Sequence, residues 1–395
     1  MNYSKDSQFH VIAKTVGSEC NLECSYCYYL DKRSRISRGG NFLIPDDTLE
    51  NFIHQYINGQ GHKEIRFSWQ GGEPTLAGIP FFEKVIALQK KHRPPGKNVY
   101  NDFQTNGVLL DDGWCAFLHE NNFLVGLSVD GPRQLHDKYR LDKKGGSTFD
   151  KIVNAAKLLK NHKVEYNTLT VVNRVNAGHP LDVYRFLRDE VDSTYMQFIA
   201  CVEPEDFKTA APHGGNSTVT GWSVAALDYG DFLCGIFDEW YGSDIGRVFV
   251  VNFEAALNLW MGKRSSVCYF SETCGKSLAM ENDGSLYSCD HYVYPEHKLG
   301  NIDQKSLPEM AFSRRQMDFG LSKTSSLPSC CRACKYLFAC NGGCPKNRLI
   351  FTPEGQSGLN YLCRGLKRYF SHIEPYMDSF SERIKKSQTV SRDGC

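Results

Sequence analysis

The stretch Cys20-Asn21-Leu22-Glu23-Cys24-Ser25-Tyr26-Cys27 sets three cysteines in the spacing C-x3-C-x2-C. An iron–sulfur cube has four irons, and cysteine thiolates normally hold all of them. Three close cysteines without a fourth nearby predict a cube with one open iron, able to bind a small molecule as catalytic zinc does at its open position. A zinc knuckle is the alternative, but zinc requires a fourth close ligand, and the next histidine, His54, falls in a predicted helix.

Strand-like and helix-like patterns alternate about six times around this loop, from residue 8 to residue 202. Such alternation predicts a parallel sheet with right-handed crossovers. Six units are fewer than a closed eightfold barrel needs, so we predict an α/β fold, a partial (β/α)6 TIM-like barrel. The predicted strands are 9–16, 65–69, 99–104, 124–129, 164–172 and 196–200, and the predicted helices are 46–58, 80–91, 112–120, 149–161 and 181–189.

The composition changes along the chain and divides it into four predicted parts. A loop at 203–221, rich in Pro, Gly, Ser and Thr, ends the barrel domain at residue 221. A helical linker at 222–265 is predicted to hold helices at 222–241 and 251–261. A cysteine-rich domain at 266–365 is expected to bury little aliphatic core and to depend on metal for folding. A helix at 366–384 and a polar tail from 385 complete the last part, 366–395.

Nine of the sixteen cysteines lie between Cys268 and Cys363. Eight of them are enough to saturate two cubes with four thiolates each, although paired cysteines also suit a zinc ribbon. Cys330 and Cys331 are adjacent, and crowding allows only one of them to be a ligand. Within this field, 277–289 is predicted to form a hairpin that turns at Asn282-Asp283-Gly284. The eight cysteines are Cys268, Cys274, Cys289, Cys331, Cys334, Cys340, Cys344 and Cys363.

Other candidate residues follow predicted strands, where ligand sites of this architecture lie. The run Gln70-Gly71-Gly72-Glu73-Pro74 follows one strand, and its glycines let the backbone approach a ligand closely. Ser128 and Asp130 end another strand in a Ser-Val-Asp-Gly-Pro turn. Asp290 directly follows Cys289, and a carboxylate there could accept a proton as a substrate loses an electron.

The cysteine triad resembles that of the radical S-adenosylmethionine (SAM) enzymes. The resemblance implies SAM as cofactor, with the amino and carboxylate groups of its methionine on the open iron and a 5′-deoxyadenosyl radical released on reduction. It implies that Gly72 belongs to the element that binds the amino group, and that Ser128 and Arg140 contact the ribose and carboxylate. It further implies that Tyr26 and Val202 lie beside the adenine.

The run C-x2-C-x5-C-x3-C resembles the SPASM domain of radical maturases. That resemblance implies three 4Fe–4S clusters in all, and it assigns the auxiliary ligands to two interleaved sets. One set is Cys268, Cys274, Cys289 and Cys344, and the other is Cys331, Cys334, Cys340 and Cys363.

Nearly the whole chain resembles the anaerobic sulfatase-maturating enzymes, which oxidise a cysteine or serine of an unfolded or nascent sulfatase to Cα-formylglycine. In that family Asp290 matches the proposed base, and Tyr29 and Gln70 match positions near the substrate. An electron donor such as flavodoxin or ferredoxin is implied. Another radical maturase, forming thioether or carbon–carbon crosslinks, shares the cysteine motifs, and a zinc-binding scaffold is the non-enzymatic alternative.

Charge and hydropathy limit the partners and the cellular compartment that can be expected for this chain. A formal charge of +1 over 395 residues argues against a nucleic-acid partner. No apolar run is long enough to span a bilayer, and the first residues lack the pattern of a secretion signal, so we expect a cytoplasmic protein. Sixteen cysteines in a reducing compartment indicate metal binding or catalysis rather than disulfides. Oxygen-labile clusters suggest an anaerobic cell.

Overall fold

One ten-stranded sheet organises the molecule. The computed structural model describes residues 8–29, 42–207, 215 and 217–390, and of residues 385–390 only the backbone. The strands are β1 (His10–Lys14), β2 (Glu64–Gln70), β3 (Asn98–Thr105), β4 (Phe123–Ser128), β5 (Tyr166–Val172), β6 (Tyr195–Ala200), β7 (Phe249–Val250), β8 (Ser277–Met280), β9 (Ser285–Tyr287) and β10 (Lys298–Asn301). They lie in the order β10-β9-β8-β1-β2-β3-β4-β5-β6-β7.

Helices connect these strands and follow them to the C-terminal end. In the barrel they are α1 (Asp46–Gly59), α2 (Ile79–His92), α3 (Asp112–Glu120), α4 (Arg133–His136), α5 (Phe149–Asn161) and α6 (Pro180–Arg185), which continues as a π-helical turn over Phe186–Glu190. After the barrel come α7 (Ala226–Ser243), α8 (Val251–Trp260), α9 (Leu307–Ala311), α10 (Arg314–Ser325), α11 (Ser329–Arg332), α12 (Leu337–Cys340) and α13 (Cys363–Val390).

The six strands β1 to β6 are neighbours in chain order, and each pair is parallel. The sheet order begins at β10 and ends at β7, so these ten strands form an open sheet. This confirms the predicted α/β architecture with an open, six-unit partial barrel. Their carboxyl ends lie at one edge of the sheet, where the predicted ligand-binding residues are found.

The cysteine-rich segment extends the sheet of the barrel. The predicted hairpin forms from β8 and β9, with Gly284 at φ 78° in the turn. Strand β8 also pairs in parallel with β1, from His10 opposite Ser277 to Ala13 opposite Met280. No local pattern predicts this pairing, because its partners are far apart in sequence. As a result, the residues that follow β8 lie at the same edge as those that follow β1.

The expectation of little aliphatic core in 266–365 is wrong. Leu278, Leu286, Leu307 and Leu349 are fully buried, and they belong to the same core as the barrel residues. Because β8 joins the sheet, this segment shares apolar contacts that a separate metal-dependent domain would lack.

The two helices that follow differ most from the bounds that the sequence predicts. Helix α7 begins at Ala226 and not at 222, because Val224 N donates to Cys201 O and Ser223 Oγ accepts from Glu203 N, contacts that hold this stretch in a loop. Helix α13 begins at Cys363 and continues through Val390, so the first residues of the predicted polar tail are helical, since each added residue contributes one more backbone bond. Residues 391–395 lie outside the described part.

Aromatic side chains fill the space between the sheet and its helices. Trp69 and Phe67 of β2 stack with their ring centroids 5.7 Å apart, and Trp69 also packs on Phe82 of α2. The indole Nε1 of Trp69 donates to Asn101 at 2.8 Å, so this buried ring has a polar partner. The end of β2 is thereby fixed directly before Gly71. Within the described ranges, no helix combines the length and apolarity needed to cross a bilayer.

Candidate active site

The cysteine triad forms a loop directly after β1. The neighbouring segment holds this loop, since Glu23 N donates to Leu141 O at 3.0 Å and Ser25 N donates to Tyr139 O at 3.1 Å. Burial, with the Glu73 carboxylate, raises the pKa of Cys20 to about 11, and burial raises the pKa of Cys24 to about 12. Uncompensated thiolates are therefore unfavourable here, and a bound cationic metal would favour them.

Hydrogen-bond donors point at the first sulfur of the triad. Leu22 N lies 3.4 Å from Cys20 Sγ, and Asn106 Nδ2 lies 3.7 Å from it. Hydrogen bonds to cluster sulfurs tune iron–sulfur centres. This donor set fits the iron–sulfur cluster that the triad predicts.

The Gly-Gly turn after β2 packs directly on the cysteine loop. Gly72 N donates to Gly17 O at 2.8 Å, and Glu73 N donates to Glu19 O at 2.7 Å. A Cβ at Gly72 would lie 1.7 Å from Glu19 O, so only glycine fits without moving the loop. Gly71 has φ 110°, a conformation that favours glycine. The Glu73 carboxylate is buried and accepts from Thr75, Thr105 and Asn106, which fixes the turn.

A buried polar network lies behind Tyr26. The Tyr26 hydroxyl donates to Asp130, and Arg140 Nε lies 3.3 Å from the same carboxylate. Val171 N donates to the other carboxylate oxygen at 3.0 Å. The Arg140 guanidinium, predicted to contact a ligand carboxylate, thus pairs with Asp130 and lies 5.8 Å from the centre of the Tyr26 ring. Asp130 is therefore a positioning residue for both side chains.

Replacing Asp130 tests this network. We expect Asp130→Asn to cost about 3–5 kcal/mol of folding free energy, because it leaves Arg140 buried without its anion. Denaturant unfolding under anaerobic conditions measures the loss. The exposed Asp192, which pairs with Lys160 on the surface, provides the control, and Asp192→Asn should change stability little. Equal losses in the two variants would contradict the assigned role.

Two further strand ends place Ser128 and Val202 at the same edge. Gln104 Nε2 donates to Ser128 Oγ at 2.8 Å. The Gln104 side chain lies across Gly126, and a Cβ at Gly126 would be 2.2 Å from Gln104 Oε1. Val202 follows β6 and is fully buried. Its neighbour Cys201 packs with Cys24 and Tyr26 in one small apolar cluster. The structure thus brings the end of β6 against the cysteine loop.

Asp290 lies in a buried cluster of charges that the sequence did not reveal. Lys14 Nζ is 2.5 Å from Asp290 Oδ1, and the Tyr28 hydroxyl donates to Asp290 Oδ2. Burial raises the pKa of this carboxyl group, but Lys14, His291 and the Tyr28 hydrogen bond outweigh burial and hold the pKa below its usual range. Asp290 is therefore ionised at neutral pH.

The same cluster contains the predicted substrate residue Tyr29. Its hydroxyl donates to Glu281, which is fully buried, and its ring lies 4.6 Å from Lys14 Nζ. Sheet register explains the convergence, since Lys14 is opposite Gln70, and Glu281 directly follows the strand that pairs with β1. In the sequence, only the position of Lys14 within the apolar run 9–16 could have marked it as a site residue. No sequence feature marked Tyr28 or Glu281.

Two cavities divide the auxiliary cysteines into two groups. One is lined by Cys268, Cys274, Cys289 and Cys344. The other is lined by Cys331, Cys334, Cys340 and Cys363, together with Cys330. Among the described residues, no group of three or more histidine, cysteine, aspartate or glutamate side chains lies close enough to hold a single metal ion. The grouping coincides with the two sets that the family resemblance assigns, and thiols are the ligands that iron–sulfur clusters use.

Two known protein families match two separate parts of the chain. Residues 15–187 match the radical SAM superfamily, and residues 268–335 match SPASM, an iron–sulfur cluster-binding domain. An open parallel sheet with this cysteine loop, followed by this cysteine-rich domain, defines a radical SAM protein with a SPASM domain.

More specific relatives cover almost the whole chain. It is 45% identical over 385 residues to a serine-type anaerobic sulfatase-maturating enzyme of Bacteroides thetaiotaomicron, covering 96% of this chain and 92% of that protein. It is 36% identical over 380 residues to a cysteine-type enzyme of Clostridium perfringens, covering 95% and 99%. The solved structure of native anSMEcpe with bound AdoMet and Cp18Cys peptide superposes with a TM-score of 0.84 at 36% identity, covering 95% of this chain and 99% of that one. The chain belongs to the anaerobic sulfatase-maturating enzymes.

Proposed function

We propose that this protein oxidises a cysteine or serine side chain of an unfolded or nascent sulfatase to Cα-formylglycine. The observation that carries the proposal is the single sheet edge at which the cysteine loop, Gly72 and Asp290 converge. A cofactor-binding loop and a partly exposed, ionised carboxylate at one edge suit a reaction that removes a hydrogen atom and then a proton. The relatives of both the serine and the cysteine type support the substrate class.

Three 4Fe–4S clusters and SAM are the proposed cofactors. Cys20, Cys24 and Cys27 hold the first cluster and leave one iron for SAM. Gly72, Ser128 and Arg140 bind SAM, and Tyr26 and Val202 lie beside its adenine. SAM bound there supplies a 5′-deoxyadenosyl radical, which removes a hydrogen atom from the Cβ of the substrate residue.

The chain's own residues complete the oxidation. Asp290 accepts the proton from the substrate sulfur or oxygen, and Lys14 and Tyr28 hold the carboxylate in place for this transfer. Tyr29 and Gln70 contact the substrate. The substrate thus loses one hydrogen atom, one proton and one electron, which gives a thioaldehyde from cysteine or an aldehyde from serine. Water converts the thioaldehyde to formylglycine and releases the sulfur as hydrogen sulfide.

The eight auxiliary cysteines provide the route for the electron. The four cysteines assigned to each cavity would saturate a 4Fe–4S cluster and would leave no open iron. Such clusters relay electrons without binding substrate. We propose flavodoxin or ferredoxin as the external electron partner, in the cytoplasm of an anaerobic cell, with no nucleic-acid or membrane partner.

The test is anaerobic incubation with a reductant, SAM and two sulfatase-motif peptides that differ only in carrying cysteine or serine at the target position. We expect mass spectrometry to detect the aldehyde in at least one peptide, together with 5′-deoxyadenosine. Protein with Cys24→Ala provides the blank, because it lacks a ligand of the first cluster. Deoxyadenosine without any peptide change would overturn the sulfatase function and favour another radical peptide maturase. Stoichiometric zinc and no acid-labile sulfide in the purified protein would favour the non-enzymatic, zinc-binding scaffold.

A further inference from the structure

Helix α10 has a buried face made of polar residues and glycine. Gln316, Gly320 and Lys323 are its buried residues, and their spacing of four and three places them on one side of the helix. Gln316 Nε2 donates to Gly275 O at 2.9 Å and to Ser288 O at 3.0 Å. A Cβ at Gly320 would lie 2.7 Å from Cys274 O. Gln316 and Gly320 therefore pack directly on the backbone around Cys274 and Cys289, two cysteines of the set 268, 274, 289 and 344.

Lys323 is fully buried on this face. Its Nζ donates to Cys268 O and Tyr269 O at 3.0 Å each, and also to Ser271 O. All three partners are neutral carbonyl groups of the loop that carries Cys268. The loop thus holds the ammonium group of Lys323 in place. Among the described residues, however, no carboxylate pairs with its charge.

Arg348 is a second buried cation close to the auxiliary cysteines, and it is only 4% exposed. Its guanidinium donates to Gly342 O at 3.3 Å, to Asn341 O at 3.4 Å and to Ser326 Oγ at 3.0 Å. These acceptors lie between Cys340 and Cys344 and at the end of α10. Like Lys323, Arg348 forms no ion pair with a carboxylate in the described part of the chain.

An unpaired buried charge is costly, so buried cations in proteins are paired with anions or bind them. A cubic iron–sulfur cluster with four thiolates carries net negative charge, and its reduction adds one more negative charge. We infer that Lys323 and Arg348 are the counter-charges of the auxiliary clusters and raise the reduction potential of the cluster held by Cys268, Cys274, Cys289 and Cys344. This inference rests on the proposed function.

The physical consequence concerns where the substrate's electron can go. Net charge and hydrogen bonding around a cluster are among the main determinants of its potential. A fixed cation in a buried site acts strongly, because little water screens it. The two cations therefore make it more favourable for the auxiliary cluster to accept the electron from the substrate-derived radical. Lys323 and Arg348 act on the electron transfer through the cluster and do not contact the substrate themselves.

The test is a redox titration of the anaerobically reconstituted enzyme, followed by electron paramagnetic resonance. We expect Lys323→Gln, which keeps hydrogen-bonding groups but loses the charge, to lower the equilibrium constant for reducing one auxiliary cluster about tenfold, or about 59 mV for one electron. Lys323→Arg should restore the potential. The signal that responds to SAM marks the cluster of the N-terminal triad and should not shift.

Lys263→Met provides the matched control, because Lys263 lines the same cavity but is exposed, and water screens its charge. Iron and sulfide analysis accompanies each titration. If Lys323→Gln loses iron, Arg348→Gln is titrated instead, with the same expected direction. An unchanged auxiliary potential in a fully loaded charge-neutral variant would overturn the inference and leave the proposed function intact. Wild-type protein without auxiliary clusters would instead overturn both.

Discussion

Asp290→Asn is expected to lower peptide oxidation by about 10²–10⁴-fold, the usual contribution of general acid–base catalysis, while SAM cleavage continues. The substitution keeps the size of the side chain but removes the charge that accepts the proton. Cleavage of SAM depends on the N-terminal triad and Gly72, which Asp290 does not contact through any of its observed bonds. Parallel measurement of 5′-deoxyadenosine and of peptide aldehyde separates the two steps.

A matched control for Asp290→Asn lies on the same hairpin. Asp283 accepts hydrogen bonds from Ser285 in the turn between β8 and β9, and Asp283→Asn should leave both products near wild-type levels. Tyr28→Phe removes one hydrogen bond from Asp290 but keeps Lys14, so we expect a smaller loss than for Asp290→Asn. Parallel loss of deoxyadenosine and aldehyde in Asp290→Asn would show that the carboxylate acts through folding or cofactor binding.

Gly72→Ala is expected to abolish both SAM cleavage and peptide oxidation. The added methyl group would lie 1.7 Å from Glu19 O, and this oxygen belongs to the backbone next to Cys20. Since the β2 turn is itself fixed by Glu73, the cysteine loop has to move, at a cost of at least about 3 kcal/mol, the upper range for overpacking. A displaced loop no longer brings its thiolates together, so the iron of one cluster should be lost.

Iron content and the SAM-responsive paramagnetic signal measure this effect. Gly221→Ala serves as the control, because among the described residues other than its two chain neighbours no atom lies within 4 Å of the Cβ it would add. The control should retain full iron content and both activities. If Gly72→Ala kept the SAM-responsive signal, close packing of the turn on the loop would not be essential for holding the cluster.

Local patterns in the sequence predicted much of the barrel. Helix α1 shows its buried face as Leu49, Phe52 and Ile53, and the observed helix ends one residue beyond the predicted one. Strand β2 alternates apolar and polar residues from Ile65 to Trp69 and ends directly before Gly71, and the observed strand has one more residue at each end than the predicted one. These elements were predictable because apolar spacing reflects burial within a single segment.

The charge cluster around Asp290 could not be predicted in the same way. Lys14, Tyr28 and Asp290 meet only because β8 pairs with β1, a contact between segments more than 260 residues apart. The burial of one face of α10 could not be predicted either, since Gln316 and Lys323 are residue types typical of exposed helix positions. They are buried because they satisfy carbonyl groups of the auxiliary cysteine loops.

By itself the sequence determined the α/β class, the cysteine loop and the family, because each is encoded in residue type and short-range spacing. Only the tertiary structure decided which charged side chains face one another. Pairing of distant strands and burial of cations are long-range outcomes, and their energies depend on what surrounds each group in three dimensions.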